Sequence, residues 1–448
     1  MLCGGRGKGG KRRSFRFYGE AVVLTMLKIE GPCRLEGEAR VQGAKNSTLP
    51  LLAASVVCRG ESVFHHCPRL SDVDTSVEIL EHLGCRVWRE GDTLIVDSTD
   101  VREWDISDCL MRKMRSSIVF LGAILSRMGQ ASLSYPGGCE LGPRPIDLHL
   151  EALHKLGVHI AEKYGRITCN VGSGLQGTGI HLSFPSVGAT ENILLAAVTA
   201  KGVTTIHNAA REPEIQDLAN YLNTCGGRIS GAGESTIVIH GVPALHGGEH
   251  TILPDRIAAA TLLASAAATG GQICLKQAEP NHLRPVLSVL EESGCRLQVG
   301  QGEVSLVAPP RLSGASSIRT MPYPGFPTDA QSPIMAMLLR SNGATVFVEN
   351  IFESRFKHVD ELIRLGADIQ VVGRVAVVKG VPRLYGARVV SPDLRGGAAL
   401  VIGGLCAEGT TEVMGIEYLD RGYEALEETL TALGARVIRA EDGTELNE

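Results

Sequence analysis

Four cations stand at the starts of segments rich in small apolar residues. Lys45 lies in GAKN (Gly43–Asn46), Arg115 in KMRSS (Lys113–Ser117), Arg256 in PDR (Pro254–Arg256) and Arg395 in PDLRGG (Pro392–Gly397). Two further segments start with SVGATEN (Ser186–Asn192) and PTDAQ (Pro327–Gln331). A helix N-terminus carries unpaired N–H groups and a partial positive charge, so a cation there opposes the dipole unless an anion lies between them. Two readings stay open at each site. Asp255, Asp329 and Asp393 are ordinary N-caps with surface arginines beside them, or the cations surround a phosphate-bearing ligand. Four cations at equivalent points favour the ligand.

A second candidate is the stretch Pro136–His149, PGGCELGPRPIDLH, a loop until Ile146. Gly137 and Gly138 give it freedom beside Cys139. Arg144 would lower the thiol pKa or bind an anion. Loops bearing a reactive side chain often act as lids, although a cysteine taken alone is more often inert and buried. Gly5–Gly10 and Gly172–Gly177 spell GxGxxG, but neither lies between a strand and a helix, so both are rejected as nucleotide loops. His65–His66 has no second ligand cluster, and no metal is expected.

The elements that must position these residues repeat. A helical ending followed by an apolar residue recurs as LGCRV, LGVHI, CGGRI, SGCRL, LGADI and LGARV. Its glycines are Gly84, Gly157, Gly226, Gly294, Gly366 and Gly434, about 70 residues apart each time. Each copy reads as an amphipathic helix stopped by a C′ glycine and running into a strand. A second motif is a small-residue helix, a glycine and a β-rich stretch, as in LPLLAASVVCRGESVF and TLLASAAATGGQICL. These helices are apolar nearly all round and should be buried. Six units, each with a sheet, a buried helix and an exposed helix, predict an α/β fold of two pseudo-symmetric domains with three units each.

Composition agrees. Aromatics are only 4% of 448 residues against 53 glycines, so the core must be built from Ala, Val, Ile and Leu around tight turns. The net charge of −5 gives no electrostatic footprint for nucleic acid, and no apolar run is long enough to cross a membrane. Twelve cysteines without a CxxC or zinc spacing point to reduced thiols and a cytoplasmic setting. Residues 1–25 are basic and unlike the rest. They read as a disordered extension or a misassigned start, with Met26 as the real one.

In order along the chain stand GAKN, KMRSS, PGGCELGPRPIDLH, SVGATEN, AAREPEI, LPDRI, YPGFPTD, FESRF, DLRGG and DRGYE. This series, over about Met26 to Arg439, strongly resembles the bacterial UDP-N-acetylglucosamine enolpyruvyl transferases. The resemblance implies an inside-out α/β barrel with helices inside and sheets outside. It implies one domain of residues 26–44 plus 252–448, another of 45–251, and a site in the cleft between them. It further implies transfer of enolpyruvyl from phosphoenolpyruvate to the 3-hydroxyl of UDP-N-acetylglucosamine by addition and elimination, the first committed step of peptidoglycan synthesis. No cofactor is implied, and the partners are the two small substrates. The oligomeric state is open, with a monomer favoured.

The same resemblance assigns residues. Lys45, Arg144 and Arg421 match the phosphoenolpyruvate clamp, with Arg395 a further cation and Asn46 a contact to both substrates. Asp329 matches the base for the sugar hydroxyl. Cys139 matches the loop thiol treated as general acid and alkylated by the epoxide antibiotic fosfomycin. Arg144, Pro145, Ile146, Asp147 and Leu148 match the uridine cradle. Arg115, Ser186, Val187 and Gly188 match positions near the diphosphate and sugar, and Ile351 a backbone contact to the sugar. Ala258 departs from the acidic residue common at that position.

Three other readings remain. The shikimate-pathway enolpyruvyl transferase would need different motifs in place of the Cys139 loop and RPIDL. A non-catalytic UDP-sugar sensor would not need Lys45, Cys139, Asp329 and Arg421. An RNA-binding repeat protein rests on the basic extension alone.

Overall fold

The computed structural model describes residues 25–137 and 146–441. Within them the six expected glycines all adopt left-handed φ between +91° and +105°. Only glycine enters that region without strain, which is why the pattern was readable. Each ends an outer helix: Ser71–Leu83, Asp147–Lys155, Pro213–Thr224, Pro280–Glu292, Val359–Arg364 and Leu426–Ala432.

The inner helices are Lys45–Val57, Phe120–Met128, Val187–Ala197, Arg256–Ala268, Thr328–Met337 and Leu394–Cys406. Their small residues allow burial on every side. In Lys45–Val57 every residue but Asn46 is buried, and in Leu394–Cys406 every residue but Leu394. The first three pack on one another, and so do the last three.

Each unit's sheet follows one plan. In the sheet Ser317–Arg319, Ala344–Val348, Val375–Lys379, Asp368–Val372 the first pair is parallel and the rest are antiparallel. Gly179–His181, Val203–His207, Thr236–His240 and Ile229–Ser230 repeat it. Alternate residues such as Thr204 and Ile206 turn inward and are buried, so one sheet face covers helices and the other meets solvent. In the sheet of Gln130–Ser134 the parallel strand shrinks to a single bridge, Asp105–Ser132.

Strands from far along the chain complete the others. Glu249–Thr251 joins Glu61–His65, and Glu36–Arg40 joins Gln272–Lys276. Thr25–Gly31 lies between Ala407–Met414 and Val437–Glu441. Thr25, counted with the basic extension in the sequence reading, is already paired with Glu441. Residues 1–24 lie outside the described residues.

Buried apolar side chains form two clusters. One runs from Leu49 to Ile252; the other joins Leu27–Val41 to Ala258–Val437. The two chain segments between them pair with each other. Ala44 N donates to Leu253 O (2.8 Å) and Asp255 N to Gln42 O (2.9 Å). Gly43 is needed there because a Cβ would lie 1.9 Å from His66 O. No helix among the described residues is long and apolar enough to cross a membrane. Every cysteine among them is free.

Candidate active site

A cleft of about 590 Å³ opens between the two halves. One wall carries Asn46, Arg115, Ile146, Asp147 and Leu148. Ser186, Val187 and Gly188 continue it at the start of an inner helix. The Ser186 hydroxyl accepts from Ala189 N (3.4 Å), and the first-turn N–H groups of Val187 and Gly188 have no intrahelical acceptor. Asp329 and Ile351 line the cleft from the other half. Ten residues singled out from sequence thus share one cavity. Cys139, Arg144 and Pro145 lie outside the described residues.

Lys45, Arg395 and Arg421 do not line the open cleft. Lys45 and Arg421 meet instead on Asp72, from the first turn of the outer helix Ser71–Leu83. Lys45 Nζ lies 2.7 Å from Asp72 Oδ2, and Arg421 Nε donates to Oδ1 at 3.0 Å. Asp72 is 2% exposed. Burial works to raise its carboxyl, but Lys45 and Arg421 prevail and hold it below the usual carboxylate range. Burial lowers the Lys45 ammonium, and repulsion from Arg421 and Arg395 adds to this against the pull of Asp72. A common carboxylate therefore keeps two cations from opposite halves gathered at one point.

The two readings of the aspartates divide. Asp255 is an N-cap, accepting from Ile257 N and Ala258 N, and Asp393 is one too, accepting from Arg395 N and Gly396 N. Asp329 is not. It lies inside the first turn of Thr328–Met337. Its Oδ1 accepts from Arg355 (2.9 Å) and its Oδ2 from Arg395 (3.2 Å). Both guanidiniums are almost fully buried. Arg355 Nε, and Arg395 Nε and Nη1, are buried with no hydrogen-bond partner among the described residues. Unsatisfied buried donors of this kind are uncommon and mark a place for an acceptor.

A carboxylate group closes one side of the cleft. Arg256 holds Glu214 through two hydrogen bonds (2.9 and 3.4 Å), and Tyr323 N donates to Glu212 (3.3 Å). Glu191 lies beside them, buried, and its carboxyl is pushed up to about 8 by burial and then by Glu214 and Glu212. Arg256 is thus matched by a carboxylate, unlike the exposed arginine of the simplest sequence reading.

The EPSP synthase (3-phosphoshikimate 1-carboxyvinyltransferase) family model matches residues 29–430. The chain belongs to that family. It is 54% identical over 413 residues to UDP-N-acetylglucosamine 1-carboxyvinyltransferase 2 of Caldanaerobacter subterraneus subsp. tengcongensis, covering 92% of this chain and 99% of that one. It is 49% identical over 416 residues to UDP-N-acetylglucosamine 1-carboxyvinyltransferase 1 of Symbiobacterium thermophilum, covering 92% and 94%. The enolpyruvyl transferase NikO from Streptomyces tendae superposes with a TM-score of 0.84 at 25% identity, over 94% of this chain and all of that one. An EPSP synthase from Acinetobacter baumannii superposes with a TM-score of 0.70 at 17% identity, over 93% and 100%, which shows the shared fold.

Within this enolpyruvyl transferase, sequence reasoning missed Asp72, Arg355 and the carboxylates at 191, 212 and 214. Arg355 sits in FESRF, and Glu212 and Glu214 in AAREPEI, segments that carried the resemblance but no assigned role. Asp72 looks in the sequence like ordinary acidic decoration of a helix start. Ala258, the departure from the family pattern, is buried and lines a second cavity of about 330 Å³ beside Gln42, His66 and Glu424.

Proposed function

We propose that the chain transfers the enolpyruvyl group of phosphoenolpyruvate to the 3-hydroxyl of UDP-N-acetylglucosamine, releasing phosphate, in cytoplasmic peptidoglycan synthesis. Residues 26–44 with 252–448 form one catalytic domain and 45–251 the other. The observation that carries the reading is Asp329, held by two buried guanidiniums at the edge of a nucleotide-sized cleft.

The nucleotide sugar lies along Arg115, Ile146–Leu148 and Ser186–Gly188, with Asn46 and Ile351 on the sugar. The phosphate of phosphoenolpyruvate sits on Lys45 and Arg421, with Arg144 as a third cation. Its carboxylate takes the unpaired N–H groups of Arg355 and Arg395. Asp329 accepts the proton of the 3-hydroxyl as the oxygen attacks C2, and the Cys139 thiol gives a proton to the C3 methylene. The Cys139 thiolate then takes back a C3 proton as phosphate leaves C2 and the double bond re-forms. Since Asp329 and Asn46 belong to opposite halves, the cleft must close for reaction.

The test is phosphate release from phosphoenolpyruvate with and without UDP-N-acetylglucosamine. Release only with both substrates, blocked by fosfomycin in the natural protein but not in Cys139→Asp, is the expected outcome. Saturable UDP-sugar binding without phosphate release would replace this reading with that of a sensor.

A further inference from the structure

His149 was given no role by its sequence, yet its surroundings fix what it offers. It lies in the first turn of Asp147–Lys155, is 7% exposed and lines the cleft. The Asn192 side chain holds it. Gly122 N donates to Asn192 Oδ1 (2.7 Å), so the amide nitrogen must point the other way. That nitrogen donates to Ile118 O (3.0 Å) and to His149 Nδ1 (2.8 Å). Nδ1 is therefore an acceptor, and the proton of the neutral ring sits on Nε2.

Nε2 has no hydrogen-bond partner among the described residues, although the residue is more than nine-tenths buried. It faces the first turn of the inner helix. A Cβ on Gly188 would lie 3.0 Å from His149 Cε1 and 3.4 Å from Nε2. Burial and then the nearby Arg115 charge bring the imidazole down to about 4, so the ring stays neutral and keeps this tautomer. Three kinds of donor line the same cleft: the Arg115 guanidinium, the helix N–H groups at Val187–Gly188 and an imidazole N–H.

We infer that His149, its tautomer set by Asn192, donates Nε2–H to an oxygen of the nucleotide diphosphate and helps select a diphosphate-linked sugar. The inference rests on the proposed reading of the cleft as a UDP-sugar site. A neutral donor suits that place, because it adds a directed hydrogen bond without another buried charge beside Arg115.

The test separates the two ring nitrogens. His149→Asn keeps an acceptor near the Nδ1 position for Asn192 and removes the donor in the cleft. His149→Gln keeps a donor near the Nε2 position and gives up the bond to Asn192. Binding of UDP-N-acetylglucosamine and of UDP would be followed by titration calorimetry, with the unfolding temperature of each variant beside it. The Asn variant should bind both ligands roughly 10-fold or more weakly, the effect expected for a hydrogen bond to a charged group, with its unfolding temperature nearly kept. The Gln variant should bind within about threefold of the natural protein despite a lower unfolding temperature.

Equal binding by the Asn variant, or binding losses that track unfolding temperature in both variants, would overturn the inference. Weaker binding of the UDP-sugar with unchanged binding of UDP would move the contact to the sugar and overturn the diphosphate assignment. If the natural protein binds neither ligand, the UDP-sugar reading itself fails, a result distinct from the other two.

Discussion

Asp329 and Glu191 are two carboxyls on one cleft, and their surroundings give them opposite uses. Asp329 faces two arginines, so its carboxylate charge is matched and each oxygen is held by a buried guanidinium. Asp329→Asn removes the proposed base and should lower phosphate release by about 10²–10⁴-fold, the usual scale of a lost general base, as measured in single-turnover assays. Glu191 faces other carboxyls and is held protonated. Its carboxyl rises from an ordinary 4.5 to about 8 on folding. The stability that goes with the neutral group is therefore complete below about 4.5 and is lost as pH rises toward 8. Glu191→Gln, neutral at every pH, lacks this loss. Its unfolding temperature relative to the natural protein should climb across that window; a constant difference would show that Glu191 ionises normally.

The six glycine-ended helices have the same backbone but different neighbours, and this makes them a graded experiment. Gly84 has φ +105°, and a Cβ would lie 2.8 Å from Asp100 O, a backbone atom that cannot step aside. Gly157 has φ +91°, and its Cβ would meet only Gln176 Cγ at 4.0 Å. Gly157→Ala should cost about 1–2 kcal/mol from left-handed strain alone. Gly84→Ala should cost clearly more, read by calorimetric unfolding. The same contrast explains what was legible from sequence. A positive φ leaves a local mark, a glycine, and six marks about 70 residues apart disclosed the six-unit repeat. The inner helices were legible for a similar reason, since small residues on all sides have no other use. Asp72 left no such mark. Its partner Arg421 lies 349 residues away, and only the folded chain brings them together. Asp255, Asp329 and Asp393 look alike as acidic residues near helix starts. A shift of two positions relative to the helix start, invisible without the structure, makes two of them caps and frees the third for arginines.

At the scale of the molecule, two apolar cores meet through charges. Only two strand-like segments connect them, and the cleft is bridged by Lys45 and Arg421 on Asp72, by Tyr323 on Glu212 and by Arg256 on Glu214. Most of these groups are buried, so each bridge must overcome the loss of hydration of its own charges. Such contacts add little net stability but penalise any arrangement that separates the partners. Arg256 and Glu214 test this directly, because their side chains are 10% and 3% exposed and come from opposite halves. Glu214→Gln leaves the guanidinium without its carboxylate and should cost about 3–5 kcal/mol, or open the cleft so that water reaches Arg256. Arg256→Met added to it removes the stranded charge and should restore most of the unfolding temperature. If the pair's use is to set the relation of the two halves, the double variant will be nearly as stable as the natural protein yet more open. Small-angle scattering would then give a larger radius of gyration, and UDP-N-acetylglucosamine would bind more weakly. A double variant with unchanged scattering and unchanged binding would show the bridge to be a by-product of closure, with the other contacts between the two halves setting the cleft.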